Sequence, residues 1–289
     1  MYPRFLVLLP ALSLSVAAIS AADVIDASLR LRYNFDAAPV ANVIVDSSPS
    51  GTHPGQNQNA VWIATEGNRS GVMDFSALGQ DRITVPAIPA LNSPQGTIAF
   101  WIKTPGGSGA GEYAAMLMDR RTTRGDVITL TDEGTLFVQA RESGQNVNVI
   151  TGSALVNDNQ WHHIAYVYDQ SAAGSISLYV DGVLDASQPN LGAWSWPATQ
   201  PLEIGSSHDT FWRVFDGLMD DFLIYNRELT ASEITALAAG NPVTGSSLVL
   251  RLNFDAAPTS MWLLIRAVRI IRERMRAQAG CLQTERTAA

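Results

Sequence analysis

The sequence predicts an all-β protein: an antiparallel sandwich or barrel that ends in one short helix. Two observations predict this class. Between residues 28 and 225, short stretches of alternating apolar and polar residues recur, and Gly, Pro, Asn, Asp and Ser separate them. After this region, one short stretch has helical spacing. Many short strands at such intervals are typical of an antiparallel sandwich or barrel.

The predicted strands follow one another with short connections. Residues 131–134 (Thr-Asp-Glu-Gly) separate two apolar runs and predict a hairpin turn, and Asp181-Gly182 predicts a second one. The stretches with strand patterns are 29–35, 97–103, 127–130, 136–140, 161–169, 175–180, 183–184, 202–204 and 218–225.

The helix is predicted from its ends as well as from its apolar face. Thr230 is a favourable N-cap, and Glu233 three residues later completes a capping box. Ile234 and Leu237 give a short apolar stripe, and Gly240 ends the helix.

The N-terminus has the layout of a secretory signal peptide. Residues 5–19 are almost entirely apolar or small, and Ser20-Ala21-Ala22 forms a small-residue cleavage site. We therefore predict a signal peptide over residues 1–22, no transmembrane span, and a secreted or cell-envelope protein. An uncleaved anchor helix is the alternative, but the apolar run is shorter than the ~20 residues that span a bilayer.

The charge and cysteine content narrow the possible functions. Residues 1–258 carry 13 basic and 25 acidic side chains, which argues against nucleic acid as a partner. The single cysteine, Cys281, excludes an internal disulfide and any cysteine-based metal site in residues 23–240. Such a protein depends on a large apolar core, and the pattern fits a bacterial protein better than an animal ectodomain.

The segment after residue 240 repeats the start of the domain. Residues 28–39 return almost unchanged at 247–258, and an Arg-rich stretch follows over 259–289. We predict that residues 241–289 contain the start of a truncated second repeat and an Arg-rich tail. A basic amphipathic helix that contacts a membrane surface is the alternative for this tail.

Residues 28–239 resemble the LamG-like jellyroll modules of the concanavalin A-like lectin/glucanase superfamily. The residues that carry the resemblance are the loop 45–55 (Val-Asp-Ser-Ser-Pro-Ser-Gly-Thr-His-Pro-Gly), the strand 161–165 (Trp-His-His-Ile-Ala), the turn region 178–182 (Leu-Tyr-Val-Asp-Gly) and the stretch 215–225. The resemblance implies a concanavalin A-like jellyroll of two face-to-face sheets. It also implies an extracellular recognition module for glycans or proteins.

The sequence favours a binding module over an enzyme. The glucanases of this superfamily use Glu-x-Asp-x-Glu on one strand, where period two places the carboxylates on one face; no such triplet occurs here. Asp220 and Asp221 are adjacent, so strand geometry predicts opposite faces for them. The same holds for His162 and His163, which the resemblance implies are structural, with a metal ligand or a general base as the alternative. A divergent polysaccharide-processing enzyme or its accessory domain, and a structural adhesin repeat, are the alternatives.

A structural Ca²⁺ is the metal site that the resemblance implies. By position, its ligands would be Asp36, Asp46, the carbonyl region of Gly55, and Asp220, with Asp221 as the substitute. Carboxylate and carbonyl oxygens are the donors that Ca²⁺ prefers. The alternative is that the aspartates only hold turns and strand ends.

Aromatic residues in predicted loops are the candidate glycan contacts. Tyr113, Trp194, Trp196 and Trp212 could stack on sugar rings, or could instead pack on the edge of the sandwich. By contrast, Trp101 and Trp161 lie in predicted strands and are expected in the core. Arg120, Arg121 and Arg124 predict a basic loop that is either a solvated turn or a contact for an acidic partner.

Overall fold

The computed structural model describes residues 26–76, 81–106, 115–209 and 211–243, all within one structural unit. The predicted signal peptide, Tyr113, the second repeat and the Arg-rich tail lie outside the described residues. The described part of the chain contains no helix with the length and apolarity that crossing a membrane requires.

Two sheets and one α-helix make up the described chain, as the sequence predicts. A 3₁₀ turn also forms at Pro89–Leu91. In chain order the elements are β1 (Leu29–Tyr33), β2 (Val43–Ile44), β3 (Gly55–Gln58), β4 (Val61–Glu66), β5 (Arg69–Asp74), β6 (Arg82–Val85), β7 (Gln95–Lys103), β8 (Ala115–Asp119), β9 (Gly125–Leu130), β10 (Leu136–Glu142), β11 (Gln145–Thr151), β12 (Trp161–Asp169), β13 (Ser175–Val180), β14 (Val183–Pro189), β15 (Leu202–Ile204), β16 (Arg213–Val214), β17 (Leu218–Tyr225) and α1 (Ala231–Ala238).

The strand order shows which elements share a face. The eight-stranded sheet has the order β14-β13-β12-β7-β17-β5-β4, with β1 paired to β17. The nine-stranded sheet has the order β11-β10-β9-β8-β15-β6-β3-β2, with the short strand β16 beside β8. All pairings are antiparallel except that of β16 with β8, which is parallel. Many neighbours are far apart in sequence, so this order depends on the whole domain.

The main core fills the space between the sheets, because alternate residues of each strand point inward. Phe100 and Phe222 stack there with ring centroids 5.5 Å apart, and Tyr166 stacks on Tyr168 at 5.2 Å. Leu202 and Ile204 of β15 also belong to this core. The residue between them, Glu203, must therefore point to the outer face of the nine-stranded sheet.

A second apolar cluster lies on the outer face of the eight-stranded sheet, under α1. Ile234 and Leu237 of the helix pack there with Ala165 and Leu223 of the strands. The predicted capping box is confirmed: the Thr230 side chain accepts a hydrogen bond from the backbone N–H of Glu233, whose carboxylate accepts one from the Thr230 N–H. The helix thus covers part of a sheet face that would otherwise be exposed.

The two predicted hairpin turns are confirmed, with β9 and β10 joined at 131–134 and β13 and β14 joined at Asp181-Gly182. Both residues of the second turn have positive φ, +51° and +79°, as a type I′ turn requires. Several strands were not predicted, among them β3, β8 and β11. β3 and β11 are rich in polar residues, so their alternation of apolar side chains is weak, and β8 is buried along its whole length and does not alternate.

Candidate functional site

The predicted calcium ligands are spread over separate hydrogen-bonding networks. Asp46 is buried, and its Oδ1 accepts the backbone N–H groups of Arg32 at 3.2 Å and Ser48 at 2.9 Å. Its Oδ2 accepts the N–H of His53 at 3.1 Å. This carboxylate therefore fixes the loop after β1, the turn role that was the alternative to metal binding.

Asp36 is exposed and interacts with side chains around β5. Its Oδ2 accepts from Asn34 at 2.6 Å, and its Oδ1 accepts from Ser70 at 3.1 Å. Gly55 lies in β3, where a Cβ would come within 2.7 Å of Ile83 and 2.9 Å of the Tyr33 hydroxyl. Glycine is thus needed there for packing.

The prediction that Asp220 and Asp221 face opposite ways is wrong, because β17 bulges between them. The register with β7 shifts between Asp220 and Leu223, and Asp221 has a φ of +49°. Both carboxylates consequently reach Arg69, Asp220 at 2.6 Å and Asp221 at 3.5 Å. Burial, and then the charge of Asp221, raise the pKa of Asp220 to about 7.

The contacts of these residues give no direct support to a calcium site. Arg69 already holds a positive charge against Asp220, and Asp46 is satisfied by three N–H groups. Within the described residues, the carboxylates of Asp36, Asp46 and Asp220 do not form a group with ligand atoms close enough to share a metal. Calcium binding stays a prediction.

Two of the candidate aromatic residues pack against the core. Trp194 is buried, with its ring centroid 5.5 Å from that of Tyr168. Trp196 is partly buried and donates its indole N–H to Asp126 at 2.9 Å. These positions favour packing on the sandwich edge, the alternative to sugar stacking for both residues.

The predicted basic loop is not a solvated turn, because two of its arginines are buried. Arg120 forms an ion pair with Asp126, donating from Nη2 to Oδ2 at 2.8 Å, and its guanidinium lies 4.6 Å from the Trp196 ring centroid. Arg121 donates to Gln139 at 2.6 Å and lies 5.0 Å from the ring centroid of Trp212. Only Arg124 is exposed.

Trp101 and Trp161 are not in the core, contrary to expectation. They lie half-buried on the outer face of the eight-stranded sheet, and the Arg69 guanidinium lies over both rings, at 4.0 and 4.8 Å. A cation over an aromatic face is a favourable contact. The bulge in β17 and the arginine from β5 together create this arrangement.

The adjacent histidines do face opposite ways. His162 hydrogen bonds to Asp181 at 2.8 Å and to Asp158 at 3.0 Å, which ties β12 to the β13–β14 turn and to the loop that precedes β12. His163 lies edge-on to Trp101, with centroids 5.2 Å apart. Burial lowers the pKa of His163 to about 4, so this ring is neutral at pH 7.

A row of side chains crosses the outer face of the nine-stranded sheet. The strand registers place Gln139, Val127, Asp119, Glu203 and Thr84 opposite one another in succession. Residues that pair directly across strands lie on the same face. We name this region the Glu203 face and define it by Arg82, Arg121, Glu203, His208 and Trp212.

Two buried carboxylates organise the Glu203 face. Glu203 is 3% exposed and accepts from His208 Nδ1 at 2.9 Å and Arg82 at 3.2 Å. Asp119 is fully buried and accepts from the Ser207 hydroxyl at 2.6 Å and the Arg121 N–H at 2.9 Å. Burial raises the pKa of Asp119. The carboxylates thus position an imidazole and two arginine-bearing segments.

Aromatic side chains border this face. Trp212 is half-buried beside Arg121, and Phe211, which is 57% exposed, packs edge-on to Trp212 with centroids 5.4 Å apart. Of the candidate aromatic residues that the structure describes, Trp212 is therefore the one in a position to contact a ligand together with polar side chains.

Asp119, Glu203 and His208 could also hold a metal ion, since one ligand atom from each lies within 4.8 Å of the others. The sequence patterns missed this group because its members come from β8, β15 and the following loop. One signal was present: Glu203 alternates with two apolar residues, which predicts that it points away from the core.

The chain belongs to the superfamily that this architecture defines. The family model described as the concanavalin A-like lectin/glucanases superfamily matches residues 78–235, more than half of the chain. This confirms the resemblance drawn from the sequence motifs. A comparison with curated proteins found no similar sequence.

Solved structures of the same fold include binding domains. The chain is similar to the binding domain of Paraclostridial Mosquitocidal Protein 1, with 20% identity and a TM-score of 0.60, covering 73% of this chain and 52% of that domain. It is similar to the botulinum neurotoxin serotype D binding domain, with 16% identity and a TM-score of 0.58, covering 75% and 53%. The chain thus spans about half of these toxin domains.

A third similar structure is a domain that is matched over almost its whole length. Domain 4 of AbnA, a GH43 extracellular arabinanase from Geobacillus stearothermophilus, was solved in complex with arabinotriose. It is 21% identical to this chain with a TM-score of 0.55, and the match covers 73% of this chain and 98% of that domain. At these identities the likeness establishes a shared fold.

Proposed function

We propose that this protein is a non-catalytic glycan-binding module and that the Glu203 face is its binding surface. The observation that carries the proposal is the placement of Phe211 and Trp212 beside Arg121, with His208 and Arg82 held by the buried carboxylate of Glu203. Sugar rings stack their apolar faces on aromatic side chains, and their hydroxyls need convergent donors and acceptors.

The buried carboxylates favour binding over hydrolysis. A glycosidase needs two carboxyl groups that reach opposite sides of the scissile bond. Asp119 and Glu203 are fully or almost fully buried and already accept hydrogen bonds from the protein, so they position other side chains and do not touch a bound sugar. The similarity in fold to a toxin binding domain, and to an arabinanase domain solved in complex with arabinotriose, supports the same conclusion.

A panel of soluble polysaccharides tests the class of function. The full chain is run in native gels containing arabinan, xylan, laminarin or pectin, and the same mixtures are assayed for new reducing ends. We expect retardation by at least one polysaccharide without release of reducing ends. Reducing ends that disappear in Asp119→Asn would support the polysaccharide-processing alternative, and the absence of any retardation would contradict glycan binding.

We also propose that the protein acts outside the cytoplasm. The signal-peptide pattern of residues 1–22 and the membership of a lectin-containing superfamily support this. Fractionation of the native host with an antibody to the chain is the test. Mature protein lacking its first 20 or so residues in the medium or envelope is expected, and an unprocessed chain in the cytoplasm would contradict it.

A structural Ca²⁺ is kept as a separate proposal, which rests only on the ligand types of Asp36, Asp46 and Asp220. A ligand that binds only the folded state raises the melting temperature. The proposal therefore expects a higher melting temperature in millimolar Ca²⁺ than in EDTA, and a smaller difference in Asp46→Asn. Identical melting curves in the two conditions would reject it.

A further inference from the structure

Two buried carboxylates face each other across neighbouring strands of the nine-stranded sheet. Asp119 of β8 and Glu203 of β15 are paired in the strand register, so their side chains leave the sheet on the same side. Asp119 is fully buried and Glu203 is 3% exposed. Like charges directly opposite each other are destabilising, and burial away from water adds to the cost. Such a pair needs positive charge close by.

The protein supplies only part of that positive charge. Arg82 forms an ion pair with Glu203 at 3.2 Å. Among the described residues, Asp119 forms no ion pair with a lysine, an arginine or a histidine, and it accepts hydrogen bonds from uncharged groups. Arg121 attracts the Asp119 carboxylate from a greater distance, and its charge also acts on Asp209. When all three of these carboxylates are ionised, they outnumber the two arginines, so the cluster attracts a cation.

A histidine completes a set of metal-binding side chains. One nitrogen of His208 and one carboxylate oxygen each from Asp119 and Glu203 lie within 4.8 Å of one another. Zn²⁺ binds histidine nitrogen and carboxylate oxygen at ~2.0–2.2 Å, so the ligand atoms around one ion are about 3.5 Å apart. Small movements of the three side chains therefore suffice to enclose an ion.

The site is open on one side only. The His208 side chain is 40% exposed, whereas that of Glu203 is 3% exposed. An ion can therefore enter past the imidazole and reach carboxylates that are fixed in the sheet. Ser207 donates its hydroxyl to Asp119 at 2.6 Å, and Arg82 holds the other oxygen of Glu203 from the one that contacts His208. Such outer contacts orient metal-binding side chains.

The donor set selects the class of ion. Ca²⁺ and Mg²⁺ prefer oxygen ligands alone, whereas two carboxylates with one imidazole suit a transition-metal ion such as Zn²⁺. We propose that Asp119, Glu203 and His208 bind one Zn²⁺ ion, with a coordination position open to water beside His208. This site shares no residue with the predicted Ca²⁺ ligands, and zinc binding does not require a glycan.

The test uses the full chain, stripped of metal with EDTA and then dialysed free of EDTA. ZnCl₂ is titrated at pH 7 by isothermal titration calorimetry. We expect one Zn²⁺ per chain with a Kd below about 10 μM. A large excess of Ca²⁺ or Mg²⁺ should leave the zinc isotherm unchanged, because neither ion prefers an imidazole ligand. Saturating Zn²⁺ should also raise the melting temperature, since the ligands come together only in the folded chain.

Variants locate the zinc site. His208→Ala and Glu203→Gln should each weaken Zn²⁺ binding at least tenfold. The matched control is His53→Ala, which removes a histidine from the loop before β3 and should leave the Kd unchanged. Circular dichroism and melting curves establish that each variant is folded. His208 is the safer of the two ligand positions, because its side chain is exposed.

Three outcomes would overturn the proposal: no Zn²⁺ binding by the folded wild type, wild-type affinity in folded His208→Ala, or an equal loss of affinity in His53→Ala. Zinc binding is measured without polysaccharide. Phe211→Ala lacks a proposed glycan contact but keeps all three metal ligands, so it should bind Zn²⁺ with wild-type affinity. A chain that binds zinc but no polysaccharide, or polysaccharide but no zinc, would refute one proposal and leave the other standing.

Discussion

At the scale of single residues, His163 shows how burial controls the charge of a side chain. Its pKa of about 4 lies below the value of about 6.5 for an unfolded histidine. Between these values the unfolded chain binds a proton that the folded chain does not. The stability that neutral His163 contributes is therefore lost as the pH falls from about 6.5 to 4, by up to about 3 kcal/mol.

Asp220 changes the stability with pH in the opposite direction, over much of the same pH range. Its pKa of about 7 in the folded chain is above the unfolded value of about 3.9. Between these two values the folded chain keeps a proton on Asp220 that the unfolded chain has lost. The stability that protonated Asp220 contributes is therefore present at low pH and is lost as the pH rises through 7. The wild-type pH profile alone would thus understate each effect.

The difference in free energy of unfolding between the wild type and His163→Gln measures the contribution of the histidine alone. We expect the wild type to lose its advantage in free energy of unfolding over the variant as the pH falls from 7 to 4.5. Urea unfolding at half-unit pH steps, followed by circular dichroism, gives this difference. A difference that stays constant with pH would contradict a neutral, buried His163.

At the scale of elements, the bulge in β17 decides how the outer face of the eight-stranded sheet is built. Sequence alternation alone places Asp220 and Asp221 on opposite faces, which is wrong because one residue of left-handed backbone resets the register. The dipeptide Asp-Asp does not predict a β-bulge. Trp101 was expected in the core only because it lies in a strand; the alternation of β7 turns Phe100 and Ile102 inward and Trp101 outward, where it lies under Arg69.

Strand β5 depends on glycine at one position. Gly71 has a φ of +69°, and a Cβ there would lie 2.1 Å from the carbonyl oxygen of Phe35. Gly67, in the β4–β5 turn, has a similar φ of +63° but no atom within 4 Å of such a Cβ. The two positions thus share backbone strain and differ in the steric clash.

We therefore expect Gly71→Ala to be much more destabilising than Gly67→Ala. The left-handed conformation alone costs a non-glycine residue roughly 1–2 kcal/mol, which is the expected cost for Gly67→Ala. The clash with rigid backbone should add at least about 2 kcal/mol for Gly71→Ala. Urea unfolding gives the loss in free energy of unfolding for each variant. Equal losses would show that the backbone of Phe35 does not approach Gly71 closely.

At the scale of the whole molecule, the sequence predicted the class of fold, two hairpin turns, the capped helix and the superfamily. These features depend on local patterns: alternation, Asp-Gly turns and a capping box. The Glu203 face was not predictable in this way. Asp119 and Glu203 meet only because β8 and β15, far apart in sequence, are neighbours in the nine-stranded sheet.

The burial of Trp194, Arg120 and Arg121 was not predictable either. A tryptophan or arginine in a connecting segment carries no local sign of the cavity it fills. Arg120 could be buried only because Asp126 supplies a matching charge, and that pairing forms around the turn between β8 and β9. Loop composition alone therefore predicted that these side chains are exposed, whereas in the structure they are packed in the interior.

The claim that the Glu203 face binds glycans is tested most directly by titrating a polysaccharide into variants of that face. With the glycan that retards the wild type, Phe211→Ala and Trp212→Ala should each raise the Kd about tenfold, the loss of roughly 1.4 kcal/mol of contact. Leu191→Ala, which truncates a side chain that is 71% exposed elsewhere, should leave the Kd unchanged. Wild-type affinity in both aromatic variants, with melting temperatures unchanged, would place the binding surface elsewhere.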